Sequence, residues 1–190
     1  MLTDLVQIRR LEQQQHGENA RFRAYLKSHR HSDRRLRRFG EEIEAQIDCT
    51  ACANCCRVTE VGITDKDVEK LAKFVGTSQQ EFVGQFTALD ASGAMILKRV
   101  SSDNQGPGNQ GPGNPGPGNP GPSNQVACVF LEGNLCSVYA ARPQNCANFP
   151  HVVRGSGSIA SRMWEFLDRV GYCPIVYNWM ETVKDDIGFR

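Results

Sequence analysis

The sequence predicts an α+β fold, and three observations lead to that prediction. Apolar residues recur at helical spacing over roughly the first 46 positions, and two short apolar runs flank a turn at 132–134. Four cysteines fall within eight positions, from Cys49 to Cys56, which is denser than a hydrophobic core requires. We therefore expect a small metal-stabilised cysteine-cluster domain with a β-hairpin and several short helices, preceded by an N-terminal helical segment.

The N-terminal segment, residues 1–47, is predicted to be helical. Leu5, Ile8 and Leu11 begin an apolar stripe that continues to Ile43. Two glycines interrupt it, and we expect breaks at Gly17 and Gly40 that give two or three helices. The basic residues at 30–38 favour a solvated helix face over a nucleic-acid site. Because the formal net charge is only +1, we do not expect nucleic acid as a partner.

The cysteine quartet allows three chemistries, namely a disulfide framework, thiolate metal ligation and free or redox-active thiols. The N-terminus does not resemble a signal peptide, and no apolar run approaches a membrane span. We therefore expect a cytoplasmic protein with no membrane partner, whose reduced thiols bind metal. The adjacent Cys55 and Cys56 point in different directions in a loop or a helix. Dividing the quartet between two metals, or giving one cysteine a structural role, is the easier arrangement.

Two core helices are predicted after the quartet. Thr64 and Asp67 form a capping-box pattern, and Gly76 is placed as the C-cap of that helix. A second helix is expected to start within residues 77–80. A strand at 94–100 should follow.

A Gly/Pro/Asn-rich insert occupies about 102–124, and its composition predicts a disordered surface loop. The strand pattern resumes at 126–131 and returns at 135–138, which predicts a hairpin with Cys128 on one arm and Cys136 on the other. A proline-bounded box, Tyr139-x-x-Arg142-Pro143-x-x-Cys146-x-x-Phe149-Pro150, comes next. A helix at 161–170, the eighth cysteine Cys173, and a last helix at about 177–183 complete the chain.

Together, the quartet, the hairpin cysteines, the proline-bounded box and Cys173 resemble the YkgJ-type cysteine-cluster family, also called the CxxCxxCC domain. The resemblance covers about residues 48–175 and implies zinc or iron chelation. Two positions depart from the family pattern, since Ala53 stands where glycine is common and Ala147 where arginine is common. We assign residues 48–190 to this domain. All eight cysteines are candidate metal ligands: Cys49, Cys52, Cys55, Cys56, Cys128, Cys136, Cys146 and Cys173.

Eight thiolates make two four-sulfur sites, or one such site with spare cysteines. Zinc and iron–sulfur clusters both accept thiolates, and spacing does not choose between them. A zinc ion held by four thiolates carries a formal charge of about −2. Arg57 and Arg142 are placed in the sequence to offset that charge.

Three functions from different classes follow from this pattern. The one we favour is a metal-binding protein without evident catalysis, which serves chelation, delivery or binding of a protein partner. The alternative is an iron–sulfur protein with a redox or methyltransferase-associated role, because a similar cluster occurs in flagellin lysine N-methylases. A nucleic-acid-associated zinc module is the third. No catalytic constellation beyond the thiols is evident in the sequence.

Overall fold

The computed structural model describes residues 1–101 and 126–189, and the insert predicted at about 102–124 lies outside the described residues. The helices are α1 (Leu5–Ser28), α2 (Asp33–Glu44), α3 (Cys49–Cys52), α4 (Asn54–Val58), α5 (Asp65–Val75), α6 (Gln79–Phe86), α7 (Gln144–Asn148), α8 (Met163–Arg169) and α9 (Pro174–Asp186). The strands are β1 (Thr87–Leu89), β2 (Met95–Leu97), β3 (Arg99–Ser101), β4 (Val126–Cys128), β5 (Leu131–Glu132) and β6 (Leu135–Cys136). The predicted α+β class, with a hairpin and several short helices, is confirmed.

The described residues pack into two compact units. Residues 1–48 and 148–189 form what we call the helical unit, and residues 49–101 and 126–147 form the mixed unit. The packing of a folded chain does not show which of its segments would fold independently. The predicted division into residues 1–47 and 48–190 therefore stays a prediction.

Helix α1 runs through Gly17, so the break predicted there is wrong. One interior glycine costs only about 1 kcal/mol, and the apolar stripe on both sides, with Ile8 and Phe22 fully buried, outweighs that cost. The break lies at 29–32 instead. Helix α2 begins after Ser32, which is its N-cap. The Ser32 hydroxyl accepts a hydrogen bond from the Arg35 backbone N–H at 3.4 Å.

Gly40 also lies inside a helix, and the break predicted there is wrong as well. A Cβ at this position would lie 2.7 Å from Cγ1 of Val152, so glycine lets α2 pack closely against the segment after α7. Helix α2 also packs on α9, where the Trp179 indole N–H donates to the Leu36 carbonyl at 2.9 Å. Close packing therefore explains why a glycine lies at this position inside the helix.

The last helix of the chain is longer than the predicted 177–183. Helix α9 begins at Pro174, which occupies its first turn, where a proline needs no N–H partner. Lys184 near its end is only 3% exposed, and its ammonium contacts the carboxylates of Glu18 and Glu181 at 2.7 Å each. This buried charge is therefore paired within the helical unit.

Helices α5 and α6 follow the short helices α3 and α4 in the mixed unit, and both predicted helix starts are confirmed. Thr64 and Asp67 form the capping box of α5, and Gly76 ends that helix at φ +79°. Ser78 and Glu81 form a second capping box on α6. The helices carry the apolar side chains of Leu71 and Phe82, both fully buried, into the core of the unit.

The predicted strand at 94–100 is two strands with different partners. β2 pairs with β1, whereas β3 pairs with β4, each antiparallel. The change occurs at Lys98, whose N–H donates to the Phe86 carbonyl and whose carbonyl accepts from the Val129 N–H. The chain therefore exchanges one partner for another between Leu97 and Arg99.

The predicted hairpin is shorter than expected and carries only one of its two cysteines. β5 and β6 pair across the turn at Gly133, with Leu131 opposite Cys136. Cys128 lies on β4, opposite Arg99 of β3, so placing it on a hairpin arm was wrong. A turn at Val129 and Phe130 separates β4 from β5 and sends Cys128 to a different strand pair.

Candidate metal centre

The cysteine quartet forms two very short helices rather than one helix or one loop. Cys49 and Cys52 lie on α3, and Cys55 and Cys56 lie on α4. Ala53 separates them with φ +45° and ψ 17°, a left-handed conformation that favours glycine. The irregular backbone orients the two pairs of thiols independently.

Arg57 and Asn134 join the quartet to the β5–β6 turn. The Arg57 guanidinium donates to the Cys52 carbonyl at 3.2 Å and to the Gly133 carbonyl at 2.8 Å. It also donates to the side-chain oxygen of Asn134, whose amide nitrogen donates to the Ala51 carbonyl at 3.1 Å. These bonds hold the hairpin that carries Cys136 beside α3 and α4.

Arg99 makes a similar connection to β4. Its guanidinium donates both to the carbonyl of Arg57 at the end of the quartet and to the carbonyl of Val126 on β4, at 2.6 Å for the latter. Helix α4 and strand β4 also pack directly on one another. The strand that carries Cys128 is thereby fastened to the helix that carries Cys56. The role of Arg99 was not predicted from the sequence.

Cys146 is fixed by α5 and the segment before it. The Asp67 carboxylate accepts the Gln144 backbone N–H at 2.9 Å at the start of α7, while its other oxygen caps α5. The Lys70 ammonium donates to the Arg142 carbonyl at 2.7 Å. The Asn145 amide donates to the Gly62 carbonyl, also at 2.7 Å. Three side chains therefore position the short helix that carries Cys146, and Asp67 is 6% exposed.

The four thiols carried by these elements act on one another electrostatically. Negative charge on Cys56 raises the pKa values of Cys128, Cys136 and Cys146. Charge on Cys136 raises the pKa values of Cys128 and Cys146 in the same way. We call this set the four-thiol cluster: Cys56, Cys128, Cys136 and Cys146. Its members come from α4, β4, β6 and α7, all in the mixed unit.

Burial is the largest influence on three of these thiols. It raises the pKa of Cys128 to about 11 and that of Cys146 to about 12, and it also raises the pKa of Cys136. Cys56 differs, because a side-chain hydrogen bond with Cys55 lowers its pKa to about 7. Without a cation, burial therefore favours the neutral thiol at Cys128, Cys136 and Cys146, whereas Cys56 ionises more readily than an ordinary cysteine.

Three arginines carry positive charge near the cluster, and two of them, Arg57 and Arg142, were expected from the sequence to do so. The charge of Arg57 lowers the pKa of Cys56, and the charge of Arg142 opposes the increase at Cys136 and Cys146. Arg99 acts in the same sense on Cys128. Arg142 also lies 4.1 Å above the ring centre of Tyr139, which is 53% exposed. The positive charges partly offset thiolate charge at the site.

The remaining predicted ligands are placed differently. Cys49 is exposed and Cys52 is partly buried on α3, and Cys55 contacts Cys56. Cys173 lies in the helical unit, where it is 5% exposed and packs in that unit's core just before α9. All eight cysteines lie in the described part of the chain, and no disulfide joins any two of them.

The donor set of the cluster fits zinc or iron by its chemistry, because both metals accept four thiolates. The side chains are not closed around a point, however. Within residues 1–101 and 126–189, no three His, Cys, Asp or Glu side chains stand in a ready-made metal-binding arrangement. Binding an ion in the four-thiol cluster would therefore require the thiol side chains to rearrange.

A family comparison covers the part of the chain that carries this site. Residues 48–174 match the model of the CxxCxxCC family, described as "Putative zinc- or iron-chelating domain". The chain belongs to the CxxCxxCC family. The match includes all eight cysteines and indicates zinc or iron as the metal that the domain chelates. Comparisons with curated proteins and with solved structures gave no match.

A helix that spans a membrane must be both long and predominantly apolar. Among those within residues 1–101 and 126–189, none is both long enough and apolar enough to cross a bilayer. The cytoplasmic location stays a prediction.

Proposed function

We propose that the four-thiol cluster binds one zinc or iron ion and that the protein serves metal chelation, metal delivery or metal-dependent binding of a protein partner. One observation carries this proposal. Hydrogen bonds and packing hold the elements that carry these four thiols in a single unit, although Cys56 and Cys146 lie 90 positions apart in the chain.

Metal binding would relieve the electrostatic repulsion between the thiolates of the cluster. Three thiols have raised pKa values because they are buried and because neighbouring thiolates repel their charge. A divalent cation reverses that penalty, since thiolates are the form that binds metal and binding releases protons. Arg57, Arg99 and Arg142 offset what remains of the negative charge, in the manner of groups that surround known metal sites.

The other four cysteines remain proposed ligands on the strength of the sequence. A second site would draw its ligands from Cys49, Cys52 and Cys55 of the mixed unit, or these cysteines would serve a structural role. Metal stoichiometry separates these arrangements, because two sites give two ions per chain and one site gives one.

The test is elemental analysis together with a visible absorption spectrum of the full chain, purified without oxygen or added metal. We expect colourless protein with zinc, or protein with mononuclear iron, at one or two ions per chain. Cys128→Ser and Cys146→Ser should each lose one ion. Cys173→Ser is the comparison for a buried cysteine in the helical unit, and its metal content shows whether Cys173 is a ligand at all.

Two results would change the conclusion. Metal content that is unchanged in both Cys128→Ser and Cys146→Ser, with the variants folded, contradicts the four-thiol cluster as the site. Brown protein with matched iron and acid-labile sulfide would instead support the alternative, an iron–sulfur protein with a redox or methyltransferase-associated role.

A further inference from the structure

A second polar site lies in the helical unit, around the segment 150–158 that follows α7. Arginines from α2, α8 and the turn before α8 hold its backbone carbonyls. Arg37 donates to the carbonyls of Val153, at 2.5 Å, and of Gly157, at 3.0 Å. Arg162 donates to the His151 carbonyl at 2.6 Å, and Arg169 reaches the Pro150 carbonyl at 3.4 Å. We call this the arginine-bound segment.

Arg162 is the unusual member of the group, because its side chain is buried with much of its donor capacity unused. It is 8% exposed, and only Nη1 makes a hydrogen bond. Neither Nε nor Nη2 has a hydrogen-bond partner anywhere in the part of the chain that the structure describes. These two nitrogens lie on the same edge of the guanidinium. Two N–H groups arranged in this way can donate parallel hydrogen bonds to two oxygens of one oxyanion.

The charges around Arg162 leave an excess of positive charge. Arg37 and Arg169 are near enough to act on it, as are the carboxylates of Glu165 and Asp33. Both acids already have partners, since Glu165 binds Arg169 at 2.9 Å and Asp33 accepts the Ile159 backbone N–H at 3.2 Å. Three cations beside two committed carboxylates would be balanced by one further negative charge.

The backbone also makes room for the buried guanidinium. A Cβ at position 155 would lie 2.2 Å from Nη1 and 2.7 Å from Cζ of Arg162, so any larger residue there would displace the guanidinium. The ring of Phe166 lies on one side, with its centre 5.5 Å from Cζ. These contacts fix the plane of the guanidinium and leave its Nε–Nη2 edge as the part without a protein partner.

We propose that this edge of Arg162 binds a small oxyanion, a phosphate-like or carboxylate group with two oxygens available in one plane. Buried donors without acceptors are rare in folded proteins because their lost hydration is not replaced. The oxyanion replaces that hydration and neutralises the excess charge. Because both nitrogens are shielded from solvent, the anion reaches them only when the surrounding structure opens. This site is independent of the proposed metal function.

The test measures the melting temperature of the full chain in sodium phosphate, sulfate or acetate against sodium chloride at equal ionic strength. We expect a saturable increase with at least one of the oxyanions and not with chloride. A response to phosphate and sulfate alone assigns a tetrahedral anion, and a response to acetate assigns a carboxylate. No increase with any of the three overturns the proposal and leaves buried water as the partner of Arg162.

Variants identify the residue responsible. Arg162→Lys keeps the charge but removes the two-nitrogen edge, so the oxyanion affinity should fall at least about tenfold. Arg154→Lys is the matched control, because Arg154 lies in the same segment but is exposed and paired with Glu44. Equal responses in wild type and Arg162→Lys overturn the proposal.

A second measurement avoids dependence on the folding of the variant. Hydrogen exchange of the wild-type chain, with phosphate against chloride, should show added protection concentrated in residues 150–162. Protection that is absent, or spread evenly over the helices, contradicts binding at Arg162.

Discussion

Asp67 shows how one side chain connects local structure to the candidate site. Its carboxylate caps α5 through Thr64 and also accepts the N–H of Gln144. The capping role was predictable, because a capping box involves residues three positions apart. The bond to Gln144 was not, because the two residues are 77 positions apart.

Asp67→Asn should weaken both folding and metal retention. The amide keeps the shape, but its nitrogen cannot accept, so at least one of the three accepted hydrogen bonds is lost and the rest lose the strength of a charged acceptor. We expect the free energy of unfolding to fall by about 1.5–3 kcal/mol. Metal content after dialysis against a weak chelator should also fall, because α7 positions Cys146. Denaturant unfolding and elemental analysis measure the two effects.

Glu81→Gln is the matched control for this substitution. Glu81 forms the same capping box on α6 but makes no bond to the segment that carries Cys146. Its variant should retain metal like the wild type. Equal metal loss in both variants would mean that Asp67 acts only through the stability of its helix.

The ionisation of Asp67 predicts a dependence of stability on pH. Burial raises the pKa of Asp67, but hydrogen bonds from Thr64 and Gln144 and the charge of Lys70 outweigh it, so the pKa lies below its ordinary value. The stabilisation is therefore complete above the unfolded-state pKa of about 3.9 and is lost as pH falls through the lower folded-state pKa. The difference in unfolding free energy between wild type and Asp67→Asn should shrink below about pH 4. A difference that stays constant from neutral to strongly acidic pH would contradict this assignment.

At the scale of elements, the turn between α3 and α4 decides how the quartet is presented. A continuous helix over 49–58 would place Cys49, Cys52 and Cys56 on one face. The left-handed Ala53 interrupts it, so Cys56 on α4 joins cysteines from β4, β6 and α7. Ala53 is 5% exposed, and its methyl group packs in the core of the mixed unit.

Substitutions at Ala53 should separate backbone strain from packing. Ala53→Val places a β-branched side chain at positive φ and should destabilise the protein by about 1–3 kcal/mol. Ala53→Gly relieves the strain but loses a buried methyl group worth about 0.8 kcal/mol, so its stability should stay within about 1 kcal/mol of wild type. Thermal or denaturant unfolding of the two variants gives the comparison. A valine variant as stable as the glycine variant would show that the turn adjusts its backbone freely.

At the scale of the whole molecule, the proposed ion links elements that are distant in the chain. Structural zinc in small peptides contributes on the order of 10–16 kcal/mol, comparable with the stability of a whole domain at roughly 5–15 kcal/mol. The four thiols of the cluster all lie in the mixed unit, so the consequences of metal loss should be concentrated there.

Removal of metal by a strong chelator should therefore lower the melting temperature and expose part of the mixed unit. We expect hydrogen-exchange protection to fall around residues 48–60 and 126–150, and less so in α1 and α9. Restoring the metal should restore protection. Circular dichroism and melting that are unchanged after verified metal removal would show that the fold does not depend on the ion.

The sequence by itself determined the features that depend on neighbouring residues. The capping boxes of α5 and α6, the Gly76 C-cap and the turn at Gly133 are local, because each involves contacts over a few positions. The density of cysteines likewise predicted thiol chemistry before any fold was known. Local glycine signals misled at Gly17 and Gly40, where packing of the surrounding helices outweighed intrinsic propensity.

Only the tertiary structure decided which thiols lie together. The exchange of strand partners at Lys98 places Cys128 on β4, which packs on α4, whereas Asp67 and Lys70 fasten the segment that carries Cys146 to α5. These contacts join residues far apart in the chain, and a pattern of spacing contains no information about the path between them. Cysteine content is therefore a property of the sequence, whereas the four-thiol cluster results from long-range packing.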